Sequence, residues 1–551
     1  MSNIAAAPLT RAQRFRWLGL IFISMGISLV IIDGTIVNTI FPKVIEALKL
    51  DSTQIQWVQE SYVLVFTSLL LVWGSIADRF GRKMLLIVGI VIFTAASVWA
   101  GYSTDFNQMV LARVIQGIGG SMVLPTTLSL VNANFQGKER GIAFAIWGST
   151  IGGMVALGPV LGGWLATDFG ADGWRLAFNI NLPIGAIIIA GLLLFVAESK
   201  VAQVAKGVDV VGALLSVVMF LTLVFGLIEG RQYGWWMADA DNKFSIFGFD
   251  WPTDGISVIP VSLLIALVSG TLFVLVERSR AKRRVQILLD LNLFKIASFR
   301  NGSIAALIIS MGEFGILFAL PLWFQNVQHL SPVESGLVLL WLAGGAFLAS
   351  GVGGALSGKI SPATAVRIGV LLELVGVIGT GLAVGSGTGW GWVAPCLLVY
   401  GIGVGFATAQ LTGVIMQDVP VELSGQGSGS QSTVRQIGSA LGIAVLGTIL
   451  FSATQLTLEH KLDDINITGK AQTAVVNTVV DSSGGRIYEI PQVLAENGGN
   501  PAQAKEVMTA AGDAFSDGAR WTAFAASIFL AAGLASSFNL GSRKHGEEAD
   551  A

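Results

Sequence analysis

The sequence predicts an all-α membrane protein with fourteen transmembrane helices. Of its 551 residues, 53% are hydrophobic and only 12% are charged, about half the charged share of a soluble domain. The apolar residues are gathered into runs of about 20, the length that an α-helix needs to cross ~30 Å of hydrocarbon. Since a soluble core stops growing near ~250–300 residues, a chain of this length and composition is expected to lie in a bilayer.

Fourteen apolar runs follow one another along the chain, and each predicts a span. They cover residues 17–40, 57–76, 84–102, 109–131, 142–165, 180–197, 208–228, 256–276, 303–325, 336–356, 366–384, 393–416, 433–451 and 522–540. An even number places both termini on one side. Because Lys and Arg are concentrated in the loops on that side, notably 74–83 and 278–300, we expect both termini to be cytoplasmic and the protein to lie in the inner membrane.

Several function classes are disfavoured by the composition. The net charge of −2 gives no reason to expect a nucleic-acid partner, the single Cys396 excludes an intramolecular disulfide, and the three histidines are too far apart to form a metal cluster. The sequence has neither a phosphate-binding Walker loop nor a nucleophile–base set, so an enzyme is the least expected class. We expect a monomer that needs no cofactor and is driven by an ion gradient.

Charged side chains within the apolar runs are the first candidates for transport, because burying a charge in a bilayer costs at least ~2.5–3.5 kcal/mol. Asp33 lies well inside the first run, and Glu313 is nearly central in the ninth. Each is predicted to be a protonatable site for substrate or protons. The alternative for both is a hydrogen bond to a neighbouring helix that serves packing only.

Two further carboxylates lie closer to helix ends. Glu60 is about one turn inside the second run, where it could also reach interfacial water, and Glu373 is about a third of the way into the eleventh. The alternative for Glu373 is pairing or snorkelling near the cytoplasmic end. If Glu60 shared a cavity with Asp33, the two acids would tend to hold a proton or a cation.

Two arginines also lie in predicted spans: Arg113 in the fourth run and Arg435 near the cytoplasmic end of the thirteenth. An arginine keeps its proton, so a buried one must hold an acid or backbone carbonyls. Structural pairing and a role in proton coupling are both open for each of them.

The short loop 74–83 reads Gly-Ser-Ile-Ala-Asp-Arg-Phe-Gly-Arg-Lys. Its bases predict a cytoplasmic position, its glycines permit a tight turn and close helix approach, and its acid is expected to hold a neighbouring helix end or a base. An ordinary basic turn is the alternative. The candidate conformational residues in this loop are Gly74, Asp78, Arg79, Gly81 and Arg82.

Small residues and a proline are concentrated in the fifth run. Gly158, Pro159, Gly162 and Gly163 predict a hinge or a seal between two halves of the molecule, with general helix packing as the alternative.

Two outer loops are long. Residues 229–255 are aromatic and acidic, and residues 452–519 are polar and acidic. Each is either a solvated connector or, for the second, a small ordered cap. Alternating residues at 474–480 and 486–490 predict a β-hairpin within that cap.

Several motifs occur together in order, and the chain resembles the major facilitator superfamily, specifically its fourteen-span drug:proton antiporter branch. Besides 74–83, the resemblance rests on Asp33 to Asn38 with Pro42, on Leu111, Arg113, Gln116 and Gly117, on Gly158, Pro159, Gly162 and Gly163, on Trp174, Arg175 and residues 178–185, and on residues 320–325 and 435–438. The fifth-run motif departs from the usual pattern at Met154, where a glycine is expected.

The resemblance implies the major facilitator fold, with two six-helix bundles and an extra central helix pair. The domains expected are a cytoplasmic tail at 1–16, an N-terminal bundle at 17–200, the central pair at 206–277 with its outer loop 229–255, a basic linker at 278–300, a C-terminal bundle at 301–541 that includes loop 452–519, and a tail at 542–551. It also implies that Asp33 binds substrate and protons, and that Arg113 belongs to proton coupling. Arg435 is grouped with the conformational residues.

The function predicted is export of organic cations, either lipophilic drugs or diamine-type dications, in exchange for protons. Glu60 favours cations, because the resemblance implies an acid at this position in some quaternary-ammonium exporters. An exporter of a neutral or zwitterionic metabolite, whose acids serve protons only, is the alternative. A membrane receptor or scaffold that uses the outer loop is the alternative outside transport.

Overall fold

A computed structural model describes residues 15–50, 52–200, 209–239, 243–246, 249–356, 360–385 and 387–540. Within these residues, fourteen helical segments are long and apolar enough to cross a membrane. The predicted all-α architecture with fourteen spans is therefore confirmed. The predicted tails 1–16 and 542–551 lie outside the described residues except for Phe15 and Arg16, as do residues 206–208 of the central pair.

The first six spans form the N-terminal bundle. Its helices are α1 (Arg16–Leu48), α2 (Ser52–Phe80), α3 (Arg82–Gly101), α4 (Phe106–Asn134), α5 (Gly137–Asp168), α6 (Gly173–Asn179) and α7 (Asn181–Phe195). The short α6 and the longer α7 together make the sixth span. The most extensive contacts in this bundle are between α3 and α4, α2 and α4, and α1 and α5. In hydrocarbon a helix satisfies its own backbone hydrogen bonds, which is why each apolar run is helical.

A central pair and a second bundle follow. The pair is α8 (Val210–Ile228) and α9 (Val258–Lys282), and the bundle contains α10 (Ala297–Asn326), α11 (Pro332–Leu356), α12 (Pro362–Ala383), α13 (Val393–Met416), α14 (Ser424–Asp464) and α17 (Ala504–Ser537). The two bundles meet mainly where α5 packs against α11 and α13 and where α2 packs against α14. Of the central pair, α8 packs against α2.

The face of the molecule that carries the turn at 74–83 is called the inner face below, and the opposite face is the outer face. The first outer loop, which follows α8, contains a two-stranded ribbon of β1 (Ser245–Ile246) and β2 (Phe249–Asp250). A further bridge joins Met237 to Ile256 near the base of this loop. The loop is therefore folded back on itself rather than extended.

The second outer loop is a helical outer cap, formed by the end of α14, by α15 (Gly469–Asp481) and α16 (Ile490–Glu496), and by the start of α17. The predicted β-hairpin is wrong, because residues 474–480 lie in α15. Val475 and Val479 are one helical turn apart and both are buried in the cap, with Val476 beside them. This spacing is that of a helix, whereas the sequence analysis interpreted it as the alternation of a β-strand. The cap has its own hydrophobic core, separate from that of the bundles.

Candidate transport site

Asp33 is the centre of a buried polar network in the N-terminal bundle. Nη1 of Arg113 lies 2.7 Å from Oδ2 of Asp33, while the side-chain amides of Gln116 and Asn181 donate to Oδ1 at 2.8 and 2.9 Å. Asp33 and Arg113 are both almost completely buried. The carboxylate thus receives three donors from two other helices, α4 and α7.

Local structure explains how these donors converge. Arg113 and Gln116 are three residues apart on α4 and share one face, so that Arg113 also donates to Oε1 of Gln116 at 2.6 Å. The guanidinium lies over the ring of Tyr62, 4.2 Å from its centroid. Since an arginine keeps its proton, the pair is neutral when Asp33 is ionised. A proton or a cation that binds Asp33 must therefore compete with the guanidinium.

A second buried centre lies in the C-terminal bundle. Arg435 of α14 approaches Glu313 of α10, with 3.4 Å between Nη2 and Oε2, and the Thr408 hydroxyl donates to Oε1 at 3.4 Å. The hydroxyl of Tyr400 donates to the backbone carbonyl of Glu313 at 3.3 Å. The structure thus brings together Glu313 and Arg435, which the sequence placed in different functional groups.

Glu373 of α12 joins this second centre. It is fully buried and close enough to Glu313 and Arg435 for their charges to interact. Within the described residues, neither of its carboxylate oxygens has a hydrogen-bond partner. Arg367, the base nearest in sequence, lies instead over the ring of Phe538 at 4.8 Å. Two acids and one arginine share this centre, so it can take up one positive charge without becoming positively charged itself.

Glu60 does not join the Asp33 network. Its carboxyl group lies within hydrogen-bonding reach of that of Glu229, the residue that follows α8. Sequence reasoning missed Glu229 because it belongs to the outer loop and not to an apolar run. The available signal was an acid placed directly after the last apolar residue of α8.

Asp78 connects the two bundles at the inner face. Its carboxylate accepts hydrogen bonds from the backbone N–H groups of Gly425 and Gln426 at 2.8 and 3.0 Å, in the first turn of α14. These N–H groups have no partner within their own helix, and a negative charge is favourable there. Arg82 lies 2.7 Å from Asp78 and donates to the carbonyl of Val421 at 2.6 Å. One acid–base pair of the N-terminal bundle thus holds the start of α14.

The glycines of the 74–83 turn permit this contact. A Cβ atom on Gly74 would meet the carbonyl oxygen of Gly425 and lie 2.8 Å from Cα of Gly429, so α2 and α14 touch backbone to backbone. Gly81 precedes α3 with φ of +115°, a conformation that side chains rarely adopt. The guanidinium of Arg79 lies 5.4 Å from the ring of Phe80.

Further contacts that sequence reasoning missed close the inner face. Asn132 donates to the hydroxyl of Ser424 at 2.8 Å, and Ser428 donates to the carbonyl of Pro125 at 2.9 Å. Each bond joins α4 to α14 over some 300 residues of sequence, so only the tertiary structure reveals it. The two bundles are therefore in direct polar contact at this face.

The glycines of α5 serve two different contacts. Gly158 and Gly162 face α1, where a Cβ atom on Gly158 would overlap the hydroxyl of Thr35. Gly163 faces the other bundle, and its Cβ atom would lie 3.1 Å from the backbone nitrogen of Val333 in α11. Pro159 lies beside Gly336, also in α11. This run therefore lies at the seam between the bundles as well as within one of them.

Metal binding is not indicated in the part of the chain that the structure describes, because no group of three or more His, Cys, Asp or Glu side chains there could hold an ion. The arrangement is instead that of two polar centres in apolar surroundings, one in each bundle, beneath contacts that close one face.

Comparisons with known proteins agree with this architecture. The chain is 29% identical over 468 residues to the tetracenomycin C resistance and export protein of Streptomyces glaucescens, covering 85% of this chain and 82% of that protein. It is 32% identical over 473 residues to a probable actinorhodin transporter of Streptomyces coelicolor, covering 84% and 76%.

Among solved structures, a bacterial homologue of the human lysosomal transporter Spinster, in an inward-facing and unoccupied conformation, matches with a TM-score of 0.52. Its sequence is 16% identical, and the match covers 96% of this chain and 98% of that one, so the likeness concerns the fold. The family model of the Major Facilitator Superfamily matches residues 23–443. The chain therefore belongs to the Major Facilitator Superfamily and is a transporter, not an enzyme.

Proposed function

We propose that this transporter is a proton-coupled antiporter of the fourteen-span drug:proton antiporter branch, and that it exports organic cations by alternating access. The observation that carries the proposal is the pair of buried acid–arginine centres, Asp33 with Arg113 in one bundle and Glu313 with Arg435 and Glu373 in the other. Charged groups are kept at such a depth mainly where they take part in transport.

The choice of cations rests on the balance of charge. Three acids and two arginines make up the two centres, so one positive charge can be accepted without leaving a net positive charge in the membrane. When a proton and a substrate compete for the same carboxylate, each lowers the affinity for the other by the same factor. Protons that arrive from outside would thus release the substrate there.

The direction of transport is supported by the relatives. The two reported above are described as an antibiotic resistance and export protein and as a probable transporter of actinorhodin. We therefore infer export of drug-like compounds from the cytoplasm across the inner membrane. In this orientation the inner face and both termini are cytoplasmic, and the closed inner face belongs to a state that releases substrate outward.

The gradient would supply the energy. Each charge moved across the membrane is worth ~2.3 kcal/mol per 100 mV, so the membrane potential helps according to how many protons exchange for each substrate charge. We expect the monomer to suffice and to need no cofactor.

Purified protein in liposomes with an imposed pH gradient tests the proposal. Lipophilic monocations and diamines should trigger proton release, and Asp33→Asn should abolish it, because the amide cannot exchange a proton. Asp254→Asn is the matched control, since Asp254 is exposed in the first outer loop. Unchanged release from Asp33→Asn would remove Asp33 from the mechanism. Competition by zwitterionic or neutral compounds, with none by cations, would favour the metabolite exporter instead.

A further inference from the structure

Glu60 and Glu229 form a pair of carboxyl groups outside both centres described above. Glu60 is in the third turn of α2 and Glu229 directly follows α8, so the pair joins the N-terminal bundle to the central helix pair near the outer face. Their carboxyl groups lie within hydrogen-bonding reach of each other. An ionised carboxylate can only accept hydrogen bonds, so a bond between them requires a proton on one of the two groups.

The pair is poorly supplied with other partners. Glu229 is 2% exposed. Within the described residues, neither Oε1 of Glu229 nor Oε2 of Glu60 has a hydrogen-bond partner, although both atoms are buried. Unpartnered oxygens of this kind are costly when charged and less so when the group is neutral. The surroundings therefore favour a protonated pair.

Aromatic rings surround these carboxyl groups. Trp57 lies one turn before Glu60 and stacks on Phe225, which lies one turn before Glu229, with 6.4 Å between the ring centroids. Phe225 in turn contacts Tyr233 at 6.4 Å. These rings exclude water and lower the local dielectric response, which strengthens the repulsion between two ionised acids.

The groups that face the pair do not neutralise it. From the loop after α8 it faces the hydroxyl of Tyr233, whose pKa is raised by burial and by the charge of Glu229. From α14 the nearby packed residue is Ala440. Arg231 is directed to the outer cap, where it donates to the carbonyl of Val480 at 2.9 Å and interacts with Asp481.

We infer that Glu60 and Glu229 form an outer proton-binding site, in which the two carboxyl groups share one proton. The central helix pair thereby contributes a residue to the proton path that neither bundle supplies. Its role in transport rests on the proton coupling proposed above: protons from outside would meet this pair before they reach the two buried centres.

The expected pH dependence follows from burial and from the repulsion by Glu60, which together raise the pKa of Glu229 from 4.5 to about 10. The folded protein then binds a proton that the unfolded chain has lost, so the free energy of unfolding falls as pH rises between these two values. Glu229→Gln, which has no such proton, should show a smaller decrease over the same window.

Infrared spectroscopy of the purified full-length protein tests the shared proton directly, through the carbonyl absorbance of neutral carboxylic acids. Glu229→Gln should lose the absorbance of one such group, and so should Glu60→Gln. The double variant should lose no more than either single variant, because only one proton is shared. Glu46→Gln is the matched control, since Glu46 is exposed at the outer end of α1.

Unchanged absorbance in either single variant would overturn the site, and so would a double variant that loses two groups. Either single variant suffices should the other not fold. Because this measurement involves no transport, its failure is distinct from that of the antiport proposal, which is decided by Asp33→Asn. If the proton is present and the pH profile of transport is the same in Glu229→Gln and wild type, the role in transport is wrong.

Discussion

Asp33 and Arg113 depend on each other because both are buried out of reach of water. Nη1 of Arg113 lies 2.7 Å from the carboxylate, and neither side chain has measurable exposure. At such a site, replacing one charged partner lowers the free energy of unfolding more than replacing both, because the remaining buried charge then has no opposite charge beside it. The neutral donors Gln116 and Asn181 would still satisfy an amide at position 33.

We therefore expect Arg113→Gln to lower the free energy of unfolding by about 3–5 kcal/mol, and the double variant Asp33→Asn/Arg113→Gln to recover most of this loss. Thermal unfolding in detergent, followed by tryptophan fluorescence, measures both. Arg486→Gln is the control, because its pairing with Glu489 is at the surface of the outer cap and should matter little. A double variant that is no more stable than Arg113→Gln would contradict the expectation.

At the scale of the element, the outer cap is a unit with its own core. Val475 of α15 is completely buried among the cap residues, whose cluster is separate from the core of the bundles. Segments with separate cores can open locally while the remainder stays folded. The cap is tied to the rest by Arg231, through Val480 and the ring of Phe451.

Val475→Asp places an unpaired carboxylate in this core. The free energy of unfolding of the cap should fall by an amount on the order of several kcal/mol, because a buried carboxylate without a partner is costly. We expect the amide protons of α15 to lose their protection in hydrogen-exchange mass spectrometry, while those of α10 and α12 keep it. Asn477→Asp, at an exposed position of the same helix, should change neither. Loss of protection that spreads into α10 would show that the cap is not an independent unit.

At the scale of the whole molecule, closure of the inner face depends on the approach of α2 to α14. Gly74 leaves space for the backbone at Gly425 and Gly429, and Asp78 holds the first turn of α14. A side chain at position 74 would have to push the two helices apart. The alternating access proposed above implies that this closed state is in equilibrium with one that is open at the inner face.

Gly74→Val should therefore shift the population towards the open inner face. In a Cys396→Ser background, Ser428→Cys reports this shift, because Ser428 is completely buried beneath Pro125. We expect maleimide labelling to become about tenfold faster, equivalent to about 1.4 kcal/mol. Gly344→Val is the control, since a Cβ atom at that position would meet nothing within 4 Å. Equal labelling in Gly74→Val and its parent would contradict this mechanism of closure.

How much could be predicted from the sequence differs between the fold and the site. The fourteen spans follow from local composition, and their number is confirmed, although α14 and α17 extend well beyond the predicted runs. Asp33, Glu313 and Arg113 stand out because charges in apolar runs are rare and costly. Their partners could not be foreseen: Asn181 is 148 residues from Asp33, and a hydrogen bond over that separation depends on how the helices pack.

The acids show the same limit more sharply. From sequence position, a cavity shared with Asp33 was one hypothesis for Glu60, whereas the structure pairs Glu60 with Glu229. For Glu373 the alternative was pairing near the cytoplasmic end, whereas the structure places it beside Glu313. Helix rotation decides these outcomes, and an evenly apolar helix in lipid leaves little pattern from which rotation can be read.

The sequence by itself determined the number of membrane-spanning helices and which side chains are too polar for lipid. These are properties of single segments, because span length and the cost of burying a charge do not depend on distant residues. Only the tertiary structure decided which acid meets which base, that the outer loop forms a cap, and that the inner face is closed. Each of these depends on the relative position of helices that are far apart in the chain, where a shift of a few ångströms makes or breaks a hydrogen bond.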